Sequence, residues 1–419
     1  MDKRSFLRNL SALSLGVPVS FSSVNTLIKE VEHISPRSLA TDENLWARIR
    51  GEYKLKPDYI NLESGYYCIM PEPTLEYFIK QVREVNYQGS WYMRTVQWEN
   101  KKATASRLAR MAGCSEDELI VTRNTTESLD LVISGQDWQA GDEAVMAEQD
   151  YGAMLNQFEL MKKRFGIKIK RVSVPNHPKN DEEIVNLYRS AITEKTKLLM
   201  VCHMINITGQ ILPVKKICEM ALAKGVKVMV DGAHAFGQIN FSINDIGCDY
   251  YGTSLHKWLS CPLGAGFLYV KKDLIDDTWP LFAEDQRPEG DISRLNHTGT
   301  HPVHTDLAIQ AAIDYQNAIG IERKEERLRY LQHYWTSQVR DLPGVIVNSP
   351  ADKHRHAGIG NVGIAGLKPG DLAKRLLEEY KIWTVAINRP GVEGVRITPN
   401  IFTTTDELDV LVKALKELA

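Results

Sequence analysis

KVMVDGAHAFGQINFSINDIGCDYYGTSLHK, residues 227–257, holds two short apolar runs, KVMVD and DYYGTS, each read as a strand closing on polar side chains. Strands this short, rich in Val, Met and Tyr, belong to a buried sheet, and their ends lie at its edge. The first run delivers Asp231 to that edge, and the second delivers Ser254, His256 and Lys257. Lys257 then precedes a small-residue run, WLSCPLGAGFL (258–268). A lysine at the mouth of an apolar segment either snorkels to water or is an amine whose burial lowers its pKa.

Outward from this stretch the same grammar repeats. ELIVT, EAVMAE, IKRVSV, KLLMVCHM and GFLYVKK read as strands, and helical patterns such as NKKATASRLARMAG, TTESLDLVISGQDW, MLNQFELMKKRFG, EEIVNLYRSAI and VKKICEMALAKG alternate with them. This alternation predicts an α/β fold with a mostly parallel sheet covered on both faces, and ligands beyond the C-terminal strand ends. After about residue 300 two long helices, 303–319 and 321–342, lead to short strands and two more helices, a smaller α+β domain. The expected boundaries are a leader over 1–35, a large domain over 58–300, and a small domain made of 36–57 with 301–419.

Composition narrows the function. The chain has 419 residues and a net charge of −2, without a long basic block, which argues against a nucleic-acid partner. No run approaches the roughly 18 apolar residues of a membrane span. Six dispersed cysteines without a C-x-x-C argue against a zinc site or a disulfide framework. GIGNVG (358–363) matches G-x-G-x-x-G, yet it reads as a strand and opens no helix, so no dinucleotide site is expected. His297, His301 and His304 read as loop histidines, because Gly299 and Pro302 break any helix that could align them on a metal. DKRSFLR (2–8) followed by a mildly apolar stretch resembles a twin-arginine export signal with Lys3-Arg4 in place of the arginine pair. It implies a periplasmic protein exported prefolded with its cofactor; the alternative is a frayed leader on a cytoplasmic one.

A lysine, an acid and hydrogen-bonding groups at adjoining strand tips form the set that pyridoxal 5'-phosphate requires: an amine for the Schiff base, a carboxylate for the pyridine nitrogen, and donors for the phosphate. TRNTTESL (122–129) follows a strand and opens a helix, so its N-terminus with Thr125 and Thr126 is a candidate phosphate cradle. Asn124 with Glu127 is equally a helix-capping arrangement, and the two readings are compatible.

LHKWLSCPLGAGFLYV, VDGAHAFGQI, NTTESLDLV, EQDYGAMLNQF and HMINITGQILPV together resemble the class V aminotransferase family of pyridoxal phosphate enzymes, in its isopenicillin N epimerase-like branch. The resemblance implies the fold type I architecture, with a mostly parallel seven-stranded sheet in the large domain. It implies Lys257 as the Schiff-base lysine, Asp231 as the pyridine-nitrogen partner, His234 at the ring hydroxyl, Tyr151 stacked on the ring and Asn206 beside cofactor and substrate. Ser254, His256, Thr125 and Thr126 match its phosphate shell, and Gly299 with Thr300 matches the pair that a partner subunit supplies. A homodimer with shared active sites follows from that. Arg396 matches the family's substrate-carboxylate arginine. Residues 388–395 lack the cysteine that desulfurases carry in this loop. The expected activity is at the Cα of an amino acid or amino-acid-like molecule, by transamination or epimerisation; the alternatives are C–S lysis by β-elimination and a non-catalytic cofactor-binding protein.

Overall fold

A computed structural model describes residues 22–283 and 286–419. The leader-like residues 1–21 lie outside the described residues. Residues 22–35 of the expected leader, by contrast, join the folded body: in the helix Ser22–Val31, Val24, Leu27 and Ile28 are buried in a cluster with Trp46, Ile49, Tyr315 and Ile319.

Seven strands make the large sheet: β2 (Leu119–Thr122), β3 (Glu143–Ala147), β4 (Lys168–Val172), β5 (Thr196–Cys202), β6 (Lys227–Asp231), β7 (Tyr250–Ser254) and β8 (Gly266–Val270), in the order β2-β8-β7-β6-β5-β3-β4. Only β8 runs antiparallel to its neighbours. Both faces are covered, so the inner strands are largely apolar and alternate sides with period two, while the edge strand β4, KIKRV, is partly exposed. Leu198, Met200 and Met229 face the helices Thr125–Ser134 and Gly152–Phe165. Leu199, Val201, Val228 and Val230 face the helices Gln97–Ala112, Asp181–Ala191 and Val214–Leu222.

The smaller sheet is antiparallel: β9 (Val345–Val347), β10 (Gly360–Ile364), β12 (Val385–Arg389) and β13 (Val392–Ile397), in the order β12-β13-β10-β9. The G-x-G-x-x-G look-alike thus contributes β10. Beside this sheet β1 (Ile60–Asn61) pairs in parallel with β11 (Ile382–Trp383), and Glu63 bridges to Thr398.

Two expected boundaries move. Residues 60–63, assigned by sequence to the large domain, pair with small-domain strands. The helix Val303–Ile319, assigned to the small domain, packs on the helices Glu72–Gln88 and Gln97–Ala112, with Ile309, Ala312 and Ile313 in the large-domain core. It is apolar nearly all round, so it needs cover on more than one side. The small core begins with the next helix, Ile321–Val339, which contributes Leu331, Trp335 and Val339. His304 is also not in a loop. It sits in the first turn of the helix Val303–Ile319 with its ring 5.6 Å from that of Phe78, while His301 Nε2 lies 2.9 Å from Asp306 Oδ2. Pro302 immediately before the helix starts it rather than breaks it.

Candidate active site

Strand register assembles the site. Cys202 of β5 is opposite Asp231 of β6, and Asp231 is opposite Gly252 of β7, so three parallel strands end side by side. β8 starts at the same edge, Gly266 opposite Ser254, and residues 255–265 between them carry His256 and Lys257. Gly266 permits this closure. A Cβ there would stand 2.8 Å from the backbone N and Cα of Asn124, at the start of the helix Thr125–Ser134.

That helix start and Ser254 are joined directly. The Thr125 N–H donates to Ser254 Oγ at 2.9 Å, and the two hydroxyls lie 2.7 Å apart. The capping reading holds as well, since Asn124 Oδ1 accepts from the Glu127 N–H at 2.9 Å. Oriented N–H groups and the helix dipole make this end a seat for an anion. Thr126 is the next residue of the same turn. His256 Nδ1 is buried without a hydrogen-bond partner, an orphaned polar atom that a bound group would satisfy.

Lys257 is partly buried, and its Nζ lies 3.1 Å from His234 Nε2. The indole N–H of Trp258 donates to His234 Nδ1 at 3.3 Å. A neutral imidazole carries one N–H, which Trp258 thereby assigns to Nε2, so Nε2 can donate to Lys257 once that amine is uncharged. Electrostatics move the amine in that direction. Burial pushes Lys257 down to about 8, with Asp231 pulling up and Arg396 pushing further down. Burial foremost, then the charges of Lys257, Arg396 and His256, hold His234 well below the ordinary histidine value.

Asp231 is raised above the usual carboxylate range by burial, against the pull of Lys257 and the Ala233 N–H. Its Oδ1 accepts from that N–H at 3.0 Å, while Oδ2 has only the Cys202 thiol at 4.0 Å. An acceptor is therefore left open at the strand tip. Behind it lies a second carboxyl that sequence reasoning missed. Asp150 is buried, accepts from the Ala147 N–H at 2.8 Å, and is pushed up to about 7 by burial, Asp231 adding to the rise.

The other expected residues fall out as follows. Tyr151 is 42% exposed at the head of the helix Gly152–Phe165, which excludes the core role and leaves its ring available for stacking. Asn206 lies in the turn after β5, and its carbonyl accepts from Arg396 Nη1 at 3.2 Å. Arg396 on β13 is buried, and Glu63, also missed, holds it in an ion pair. Gly299 and Thr300 line a cleft of about 1290 Å³ with Trp98, Lys101 and Arg94, and Lys257 is not among the residues lining it. An amine, an open carboxylate, an orphaned imidazole nitrogen and an anion seat match the chemistry of pyridoxal phosphate.

Comparison with known proteins agrees. A model of the aminotransferase class-V family matches residues 73–395. The isopenicillin N epimerase of Streptomyces clavuligerus is 27% identical over 89% of this chain and 98% of its own length. A probable cysteine desulfurase of Synechocystis is 26% identical over 79% of this chain and 83% of its own. Among solved structures, the cysteine desulfurase of Thermococcus onnurineus superposes with a TM-score of 0.78 at 21% identity, covering 88% of this chain and 97% of that one. C-DES with glycine covalently linked to its pyridoxal phosphate gives 0.80 at 19%, covering 88% and 99%.

Because the folded state lowers the pKa of Lys257, the reactive free amine appears as pH rises through about 8 rather than 10.5. The rate at which apoprotein takes up pyridoxal phosphate, followed by visible absorbance, should rise to a plateau with that midpoint. A midpoint near the ordinary lysine value of 10.5 would contradict the burial argument.

Proposed function

The chain belongs to the aminotransferase class-V family of pyridoxal phosphate enzymes, and from that premise we propose that it acts at the Cα of an amino acid or amino-acid-like molecule by transamination or epimerisation. The observation that carries this reading is the partly buried Lys257 amine, 3.1 Å from His234 Nε2 at the same sheet edge as a carboxylate with an open oxygen.

When bound, pyridoxal phosphate supplies the electron sink that lets a bond at the amine-bearing carbon break. The chain's own residues do the rest. Lys257 would anchor the cofactor and, once released, would have the basicity to take the Cα proton and return it near neutral pH. Asp231 at the strand tip would keep the ring nitrogen protonated through its open oxygen. His234, its tautomer fixed by Trp258, offers one N–H to the space around Lys257. Thr125, Thr126, Ser254 and His256 would hold the phosphate, and Tyr151 would stack on the ring.

C–S lysis is the second reading, favoured by the likeness to C-DES, a cystine C–S lyase, and to cysteine desulfurases. A route through an enzyme persulfide is disfavoured. The hairpin β12–β13 carries no cysteine, and of the two thiols beside the site, burial raises Cys68 to about 12 and Cys202 well above the ordinary value. Neither is a thiolate near neutral pH. A non-catalytic role leaves the lowered Lys257 amine and the open carboxylate without a purpose.

Incubating holoprotein with a panel of amino acids in deuterated buffer separates the readings. Conversion of the cofactor to its amine form indicates transamination, deuterium in recovered amino acid indicates epimerisation, and keto acid with a thiol indicates lysis. No change with any amino acid, and the same behaviour from Lys257→Ala, would sink the assignment.

We also propose a homodimer in which Gly299 and Thr300 complete the partner's phosphate site, which fits their place on a cleft that Lys257 of their own chain does not line. Mixing inactive Lys257→Ala and Thr300→Ala chains should then restore roughly a quarter of the activity, since one site in four per mixed population is intact. No recovery on mixing would contradict shared sites.

A further inference from the structure

Arg396 is the residue expected to receive a substrate carboxylate, yet it already holds one. Its Nε donates to Glu63 Oε2 at 3.2 Å, and its Nη2 donates to Glu63 Oε1. The Nη1 group donates to the carbonyl of Asn206 at 3.2 Å, so three of the five guanidinium N–H groups are engaged. Both side chains are nearly out of water, 7% and 4% exposed.

The pair is built in rather than incidental. Glu63 Oε1 also accepts from the Tyr66 N–H at 2.9 Å. The following turn is pinned by Thr398, whose Oγ1 accepts from the N–H groups of Ser64 and Gly65 at 2.7 and 3.1 Å. Gly65 itself makes room: a Cβ there would lie 2.8 Å from Arg396 Cζ. The guanidinium thus packs against the backbone of the segment that carries Glu63. It also acts on the reacting centre, lowering the proton affinity of both Lys257 and His234.

A free carboxylate approaching this arginine meets a neutral pair and the negative charge of Glu63 at contact distance. Taking the fork would strand Glu63 in a buried place, stripped of its cationic partner, which is costly. A neutral acceptor meets no such repulsion and can use the two remaining N–H groups.

We propose that Glu63 sets the substrate class: the enzyme takes amines whose reacting carbon bears a neutral acceptor, such as a carboxamide, in preference to a free α-carboxylate. This rests on the reading of the chain as a pyridoxal phosphate enzyme acting at an amine-bearing carbon.

The test titrates holoenzyme with matched pairs, the L-amino acid and its amide for alanine, serine, phenylalanine and glutamate, following the visible absorbance of the bound cofactor. Half-saturating concentrations are expressed as unprotonated amine, because the amides lose their proton at lower pH. For each pair that responds, the amide should half-saturate at least roughly tenfold lower than the acid, and Glu63→Gln should shift that ratio toward the acid by a similar factor. An acid that binds wild type as tightly as its amide overturns the proposal whether or not the variant folds. An unchanged ratio in folded Glu63→Gln overturns it too. Protein that takes up no cofactor, or responds to no amine, would instead sink the underlying reading and the proposal with it, so the two failures are told apart.

Discussion

Desolvation at one edge of the sheet is the constraint on which the site depends. Three parallel strands end in register, and the connection to β8 folds Lys257 back over them. An amine and a carboxylate buried there could have formed a simple ion pair, which would hold both charged. Instead burial outweighs their attraction, lowering Lys257 and raising Asp231. The amine is left nucleophilic and the carboxylate keeps an open oxygen. Everything around serves that balance: Trp258 fixes the tautomer of His234, and Glu63 offsets the charge of Arg396.

The two domains contribute unequally. The large sheet supplies the amine, the acid, the stacking ring and the anion seat, all from turns at strand ends, where parallel sheets expose backbone groups to ligands. The small domain supplies Arg396 from β13, which in the proposed reading meets the group beside the reacting carbon. Segment 60–66 ties the domains together, pairing with small-domain strands before the chain continues into the helix Glu72–Gln88. Under that proposal, cofactor chemistry and substrate choice are carried by different parts of the chain.

Much of this was legible in the sequence because it is local. Most large-sheet strands are short apolar runs, and KVMVD and DYYGTS announce their own ends with Asp231 and Ser254. Glu63 was not legible, because its partner lies 333 positions away and nothing in LESGYY marks a buried charge. Asp150 stands directly before Tyr151, yet only the fold reveals that it is buried behind Asp231. The helix Val303–Ile319 was misplaced because its all-round apolarity shows that it is covered without showing by what. His304 was misread through Pro302, a residue that ends helices from within and starts them from just before.

The central claim, that Lys257 and no other lysine is the cofactor amine, has a direct measurement. The chain offers a rival in Lys324, more deeply buried and also lowered to about 8, whose Nζ donates to Gln316 Oε1 at 2.9 Å and to the carbonyl of Trp258. Holoprotein reduced with borohydride, digested and mapped by mass spectrometry should carry the pyridoxyl group on the peptide containing Lys257. Finding it on Lys324, or on any other lysine, would contradict the account.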